Sequence, residues 1–268
     1  MLRVGRAGKA SEPVKKHEFP IIEHDPCTEA IINPPPGKDG FCLPERAVLC
    51  FPQKTIDAVI ADGTREPVHG LASTMGKHPI YAVEAFGTTI AICQPGLGAS
   101  FTAAFLDEMI GLGVRKVIAC GTCGVLDGCM AKGMVVVPTS AVRDEGTSYH
   151  YLPPSREVEP TPSVIPVIQG VLDAHNCEYT LGKTWTTDGI YRETPARVKR
   201  RREEGCLTVE MEASAMFAVA QFRGIEIGML LHCSDDVSGD VWDPRGDHGV
   251  FTGDEKLFWL AMETCAKL

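Results

Sequence analysis

From Ala47 onward the chain alternates short, continuously apolar runs with longer segments of helical periodicity, and this alternation restricts the fold more than any other feature. The runs are AVLCF (47–51), TTIAIC (88–93), RKVIAC (115–120), GMVVVP (133–138) and EIGMLLHC (226–233). Apolar runs without polar alternation, rich in β-branched residues, are what strands covered on both faces require. Between them, SFTAAFLDEMIGLG (100–113) sets Phe101, Phe105, Met109 and Leu112 at helical spacing and stops at Gly111 and Gly113. Residues 161–176, 194–205 and 211–224 are further helix candidates. Strands alternating with crossover helices predict an α/β domain around a largely parallel sheet. Residues 1–46 are polar and then broken by prolines, so the expected organisation is an extended arm (1–46) followed by a single domain (47–268).

The bulk properties exclude several classes. A formal charge of −9 over 268 residues argues against a nucleic-acid partner, because phosphate backbones select basic surfaces. No apolar run approaches the roughly 18 residues that span a bilayer, so no membrane association is expected. The basic start MLRVGRAGKASEPVKK lacks an apolar signal core and reads as a disordered tail rather than an organellar presequence. Eleven cysteines, several inside apolar runs, fit reduced thiols in a cytoplasmic compartment. The run KRRREE (199–204) reads as a solvated helix face.

Chemistry is expected beyond the carboxyl ends of the strands. PGLG (95–98) follows one strand and opens a helix; glycines there, Gly98 above all, can aim amides at an anion, or simply make a turn. GTCG (121–124) follows another, and its backbone N–H groups with the Thr122 hydroxyl form a plausible cradle. Cys120-Gly121-Thr122-Cys123 also has the spacing of a redox dithiol. Such a site, however, opens a long helix, whereas a loop and another strand follow here. No second Cys or His pair at zinc spacing appears, so no metal is expected. In TVEMEASAMFAVA (208–220), alternation puts Glu210 and Glu212 on one side and Met211 on the other. Either Glu212 merely caps the helix while Glu210 is exposed, or the pair grips vicinal sugar hydroxyls and steadies a positive centre. HCSDDVSG (232–239) closes the last apolar run with Ser234, Asp235 and Asp236, where a carboxyl could serve as a general acid.

GTCGVL, VRDEGTSYHY (142–151), TDGIY (187–191), VEMEASAMFAVA and SDD together resemble the nucleoside phosphorylase-I family, from about Ala47 to the C-terminus. The resemblance implies one α/β domain with a mixed, partly barrel-like sheet flanked by helices, assembled as a dimer, trimer or hexamer. It implies N-glycosidic cleavage of a nucleoside with phosphate as co-substrate and no other cofactor. Carried over by position, Met211 and Glu212 are ribose contacts, with Glu210 beside them. Thr122 is the phosphate-binding hydroxyl, and Cys123 and Gly124 begin the base pocket. Ile190 and Tyr191 are its walls, Ser234 adjoins it, Asp235 protonates a purine at N7, and Arg245 supports that proton donation.

The phosphate site departs from the family pattern. The expected Gly-Asp-Pro-x-Arg is replaced by Cys50-Phe51-Pro52-Gln53-Lys54, and the arginine expected two residues before Gly121 is Ala119. Lys54 supplies charge without the bidentate fork of arginine. Arg143, His69 or His24 could fill the gap, although each also fits an ordinary structural role. CFPQK offers no acid to activate water either, so phosphorolysis is the expectation and hydrolysis the alternative. The uridine branch is a further alternative, with Arg192 or Arg197 approaching a pyrimidine carbonyl, although Asp235 favours a purine. A non-catalytic nucleoside binder is the reading from a different class.

Overall fold

The computed structural model describes residues 13–61, 66–74, 76–246 and 252–268. Most of the basic N-terminal stretch therefore lies outside the described residues. In chain order the elements are β1 (Arg46–Cys50), α1 (Gln53–Ile60), β2 (His69–Ser73), β3 (Gly76–Ala85), β4 (Thr88–Cys93), α2 (Ala99–Gly111), β5 (Lys116–Val125), β6 (Val135–Asp144), β7 (Glu157–Val158), α3 (Val164–Ala174), β8 (Tyr179–Thr187), α4 (Pro195–Glu203), β9 (Cys206–Glu210), α5 (Ala213–Arg223), β10 (Glu226–Asp236) and α6 (Thr252–Lys267).

The sheet is mixed rather than largely parallel. β1 pairs in parallel with β4 and β5, and β5 with β10, whereas β5–β9, β10–β6, β3–β4 and β2–β3 are antiparallel. The order β10-β6-β8-β9-β5 closes on itself through the β10–β5 pairing, giving a ring of strands from which β1, β4, β3 and β2 extend as an open wing. The closed ring is the partial barrel that the family resemblance implies. Its strands carry no edge there, and their apolar side chains are divided between a larger core around α2 and α5 and a second one around α3 and α6.

Local sequence explains the helices that frame the site. α5 is apolar all round, and Ala213 to Ala220 are all buried, so it is a helix for the interior. It ends on Gly224 in the left-handed conformation (φ 68°), where glycine carries no steric penalty. α2 starts from Gly98 (φ 88°), a turn that lets the chain leave β4 sharply and enter a helix packed against α5. Residues 13–45 hold only short 3-10 turns. They are tied to the body where the Leu43 N–H donates to the Leu112 carbonyl (2.8 Å) and Arg223 Nη1 to the Thr28 carbonyl (3.4 Å).

Candidate active site

The site begins where β5 loses a neighbour. β1 pairs with β5 as far as Cys50–Cys120, and β9 takes over the same stretch only at Val209–Gly124. Gly121, Thr122 and Cys123 lie in the gap between the two partners. A strand whose neighbour peels away leaves a crevice with unpaired backbone groups, the usual place for a ligand in such sheets. Thr122 is exposed there, with Gly121 and Cys123 buried on either side. A Cβ at Gly121 would stand 3.0 Å from the Phe51 ring, so a larger residue there would press on the loop after β1.

The same geometry disposes of the dithiol. Cys120 and Cys123 are three residues apart on an extended strand and point to opposite faces. Cys120 joins Cys50 in one core, and Cys123 joins Cys233 in the other. Both thiols are pushed well above their usual range, Cys120 chiefly by its hydrogen bond with Cys50 and Cys123 chiefly by burial, which makes them poor nucleophiles.

β9 runs antiparallel to β5, so its last residues and the turn into α5 run back alongside the gap. Glu210 and Glu212 are both buried, at 6% and 5% exposure, with Met211 half-buried between them. The expected alternation is observed, but the capping role belongs to Glu210. Its Oε2 accepts the backbone N–H groups of Glu212 (2.7 Å) and Ala213 (2.6 Å) at the start of α5. Its Oε1 accepts the hydroxyls of Thr186 (2.6 Å) and Thr184 (3.4 Å) from β8. Burial still lifts its carboxyl to about 6 against these donors. Glu212 Oε1 accepts the Gly98 N–H (2.6 Å), and the backbone N–H of Met211 also favours its ionised form. Burial, and after it the charge of Glu210, pushes Glu212 to about 8. Glu210 is thus saturated by protein, whereas Glu212 keeps lone pairs for a ligand. Gly98 was expected to serve an anion; its amide is instead committed to Glu212, locking the N-termini of α2 and α5 together.

The other wall is β10. Between Cys233–Cys123 and Asp236–Val125 its register slips, so that Ser234 and Asp235 together oppose Gly124 alone. This bulge brings Asp235 beside Gly124, where a Cβ would meet both Asp235 oxygens at 3.6 Å and Val209 at 3.0 Å. Asp235 Oδ2 accepts the Trp242 indole N–H (2.7 Å), and Oδ1 lies 2.7 Å from the Ser234 hydroxyl, which also faces the Cys123 carbonyl (2.9 Å). Arg245 does not contact Asp235. Its guanidinium bridges Asp236 (2.6 Å) and the Met130 carbonyl (2.6 Å), because the chain turns at Arg245 (φ 52°) after a short bridge between Asp236 and Asp243. Its role is to hold the loop that carries Trp242.

Ile190 and Tyr191 form a 3-10 turn after β8 and stand 54% and 93% exposed, so they make a rim and not an enclosed wall. Three residues on from Ile190 is Glu193, which the sequence reading passed over. Burial, and then the charge of Asp235, lifts it to about 7. Its only sequence signal was an acid inside the basic stretch RETPAR.

The phosphate side is sparsely charged. Lys54 is exposed at the start of α1. Ala119 is sealed in the core between Leu49 and Met229, so no cation issues from that position. Arg143 is spoken for: its guanidinium donates to the Ser148 hydroxyl (2.9 Å), the Pro153 carbonyl (2.7 Å), the Ser155 hydroxyl (2.7 Å) and the Leu152 carbonyl (3.2 Å). His69 stacks on Phe41 with ring centroids 5.1 Å apart. Arg197 and Arg201 both pair with Asp144 (2.8 Å each) against Trp185, so part of the expected solvated basic face is an internal ion-pair network. Among the described residues no group of three or more His, Cys, Asp or Glu side chains is placed to hold a metal, and no helix is long and apolar enough to cross a membrane.

Comparison with known proteins identifies the family and the fold. Residues 46–254 match the family model described as the phosphorylase superfamily. A guanosine phosphorylase of Halorubrum lacusprofundi is 31% identical over 144 residues, covering 54% of this chain and 60% of that protein. A uridine phosphorylase of Haemophilus influenzae is 25% identical, covering 54% and 63%. The chain thus spans about three fifths of the length of these curated relatives. Among solved structures, a purine nucleoside phosphorylase of Toxoplasma gondii superposes with a TM-score of 0.69 at 22% identity, covering 88% of this chain and 91% of that one. An AMP nucleosidase of Bacteroides thetaiotaomicron gives 0.68 at 21%, covering 83% and 87%.

Proposed function

The chain belongs to the phosphorylase superfamily, and from that premise we propose that it cleaves the N-glycosidic bond of a purine nucleoside and passes the ribosyl group to inorganic phosphate. The observation that carries this reading is Glu212: a buried carboxyl held by backbone amides at the edge of the crevice, with acceptor capacity left over. Vicinal hydroxyls of a ribose supply the donors such a group lacks. Bound there, they favour its ionised form, and the negative charge then faces the sugar as the bond stretches and the ring becomes oxocarbenium-like. Charge stabilisation of this kind is worth about 2.7–4 kcal/mol per group. Asp235, across the gap, supplies the proton that lets the base leave neutral, with Ser234 and Trp242 holding it in place. Thr122 and Lys54 are the groups offered to phosphate. With nucleoside and phosphate as its partners, the chemistry needs no redox or metal group.

Hydrolysis is the second reading, favoured by the sealed Ala119 and the committed Arg143, which leave the anion side with little positive charge. One assay tests both: purified protein is incubated with adenosine, inosine, guanosine and uridine, with and without phosphate. Base release that requires phosphate and yields ribose 1-phosphate supports the proposal. Release without phosphate replaces it with hydrolysis, and nucleoside binding without release replaces it with a binding function.

A further inference from the structure

Arg245, the expected helper of Asp235, is spent on Asp236, so the proton that Asp235 gives to the base needs support from elsewhere. The contacts around Asp235 supply it. Ser234 is buried, at 6% exposure, and its Oγ stands 2.7 Å from Asp235 Oδ1 and 2.9 Å from the Cys123 carbonyl oxygen. A carbonyl only accepts, and a serine hydroxyl carries a single hydrogen, which cannot lie along both directions. With Asp235 ionised, its carboxylate and the Cys123 carbonyl compete for that hydrogen, and one of them loses it. With a proton on Oδ1, the three groups form a chain. The Asp235 O–H donates to Ser234 Oγ, and the Ser234 O–H donates to the Cys123 carbonyl. Oδ2 accepts the Trp242 indole N–H (2.7 Å) in either state.

The bulge in β10 permits this chain, since it sets Ser234 and Asp235 together opposite Gly124. Both Asp235 oxygens lie 3.6 Å from where a Cβ on Gly124 would stand, so the proton is stored beside the strand end expected to begin the base pocket. We propose that Ser234 is a positioning residue for the proton that Asp235 gives to the base. Before reaction Ser234 Oγ accepts the Asp235 O–H and keeps the proton on Oδ1. When a purine N7 takes it, the O–H bond at Oδ1 breaks, an N7–H bond forms, and the electron pair stays on the carboxylate. The Ser234 O–H then turns from the Cys123 carbonyl to Oδ1 and stabilises the charge left behind. That hydrogen bond strengthens only as the proton moves, so it lowers the barrier and not the energy of the bound substrate. Solvent returns a proton to Asp235 after the base has left. This role rests on the purine reading above. It concerns only the leaving base, so it holds whether phosphate or water takes the ribosyl group.

Two leaving groups separate this role from a structural one. The substrates are adenosine, inosine or guanosine, whichever the wild type cleaves fastest, and the 7-methyl derivative of the same nucleoside. The first needs a proton at N7; the second carries a fixed positive charge on its base, which leaves neutral without one. Ser234→Ala should lower kcat/KM for the unmethylated nucleoside about tenfold or more and leave that for the methylated one within about threefold of wild type. Ser234→Thr keeps the hydroxyl, and the ratio of the two substrates should stay at its wild-type value whatever the added methyl does to each. Thermal melting establishes that both variants are folded. A loss that falls equally on the two substrates overturns the proposal and leaves the cleavage reading standing. So does an unmethylated rate within roughly twofold of wild type in Ser234→Ala. A wild type that cleaves only the methylated nucleosides removes Asp235 as proton donor, and the proposal falls with it. A wild type that releases base from none of them overturns the cleavage reading and the proposal together.

Discussion

The two walls of the crevice are built in opposite ways. On the sugar side, Glu210 is saturated by two hydroxyls and two amides, and Glu212 is anchored to a helix turn over a hundred residues away in sequence. The supporting atoms come from β8 and from the N-terminal ends of α5 and α2. On the base side, Asp235 sits on a bulge, Trp242 and Arg245 on a loop, and Ile190, Tyr191 and Glu193 on a single turn. The contrast separates what the fold must keep from what it can vary. Under the proposed function the sugar, common to all nucleosides, would face the rigid wall, and the base, which differs, the adaptable one.

Glu212→Ala is the largest perturbation. It should cut kcat/KM by about 10²–10³ in a protein that still folds, read by steady-state assay beside thermal melting. If activity survives, the rigid wall is not the sugar wall. Glu210→Ala should do the reverse in kind: it leaves the α5 amides and Thr186 unpaired in the interior and should cost on the order of 3 kcal/mol in denaturant unfolding. A Glu210 variant that is as stable as the wild type but inactive would exchange the roles of the two glutamates.

The next effect is one of pH. Glu212 is held near 8 when folded, against 4.5 for a free carboxyl, so the folded state holds its proton more tightly. Its contribution to stability is complete below the unfolded value and is lost as pH rises through the folded one. The ligand-free protein should therefore lose on the order of a few kcal/mol between about pH 5 and pH 8, and Glu212→Gln should flatten that slope. Smallest is Trp242→Phe, which removes one donor from Asp235 on the adaptable wall. It should change kcat by less than about tenfold while leaving melting unaltered. A loss as large as that of Glu212→Ala would show the base wall to be no looser than the sugar wall.

The same contrast explains what the sequence discloses. The rigid wall was legible because its register is regular: alternation in VEME put both carboxylates on one side, and both are buried. Which of them caps α5 was not legible, since that depends on Thr184 and Thr186, and β8 (YTLGKTWTT) is too polar to read as a buried strand until its threonines are seen serving Glu210. β2, β3 and α1 are not legible for a related reason: each buries few side chains, and pairing or packing against the sheet defines them. On the adaptable wall Asp235 was found, but Arg245 was assigned to it and serves Asp236 instead, a difference of one residue that only the turn geometry decides.

The slip in β10 has a consequence for how such a site can diverge. Two residues stand where the partner strand has one, so Ser234 and Asp235 are released from the strict in-and-out alternation that governs the rest of the ring. Each can be exchanged without turning a neighbour inside out. Deletion of either would erase the bulge and leave Asp236 opposite Val125 in plain register, at the cost of the kink that brings Asp235 beside Gly124. The bulge therefore works as a tolerance joint: substitutions at these two positions can retune the chemistry, and loss of the extra residue flattens the site without turning the rest of the strand over.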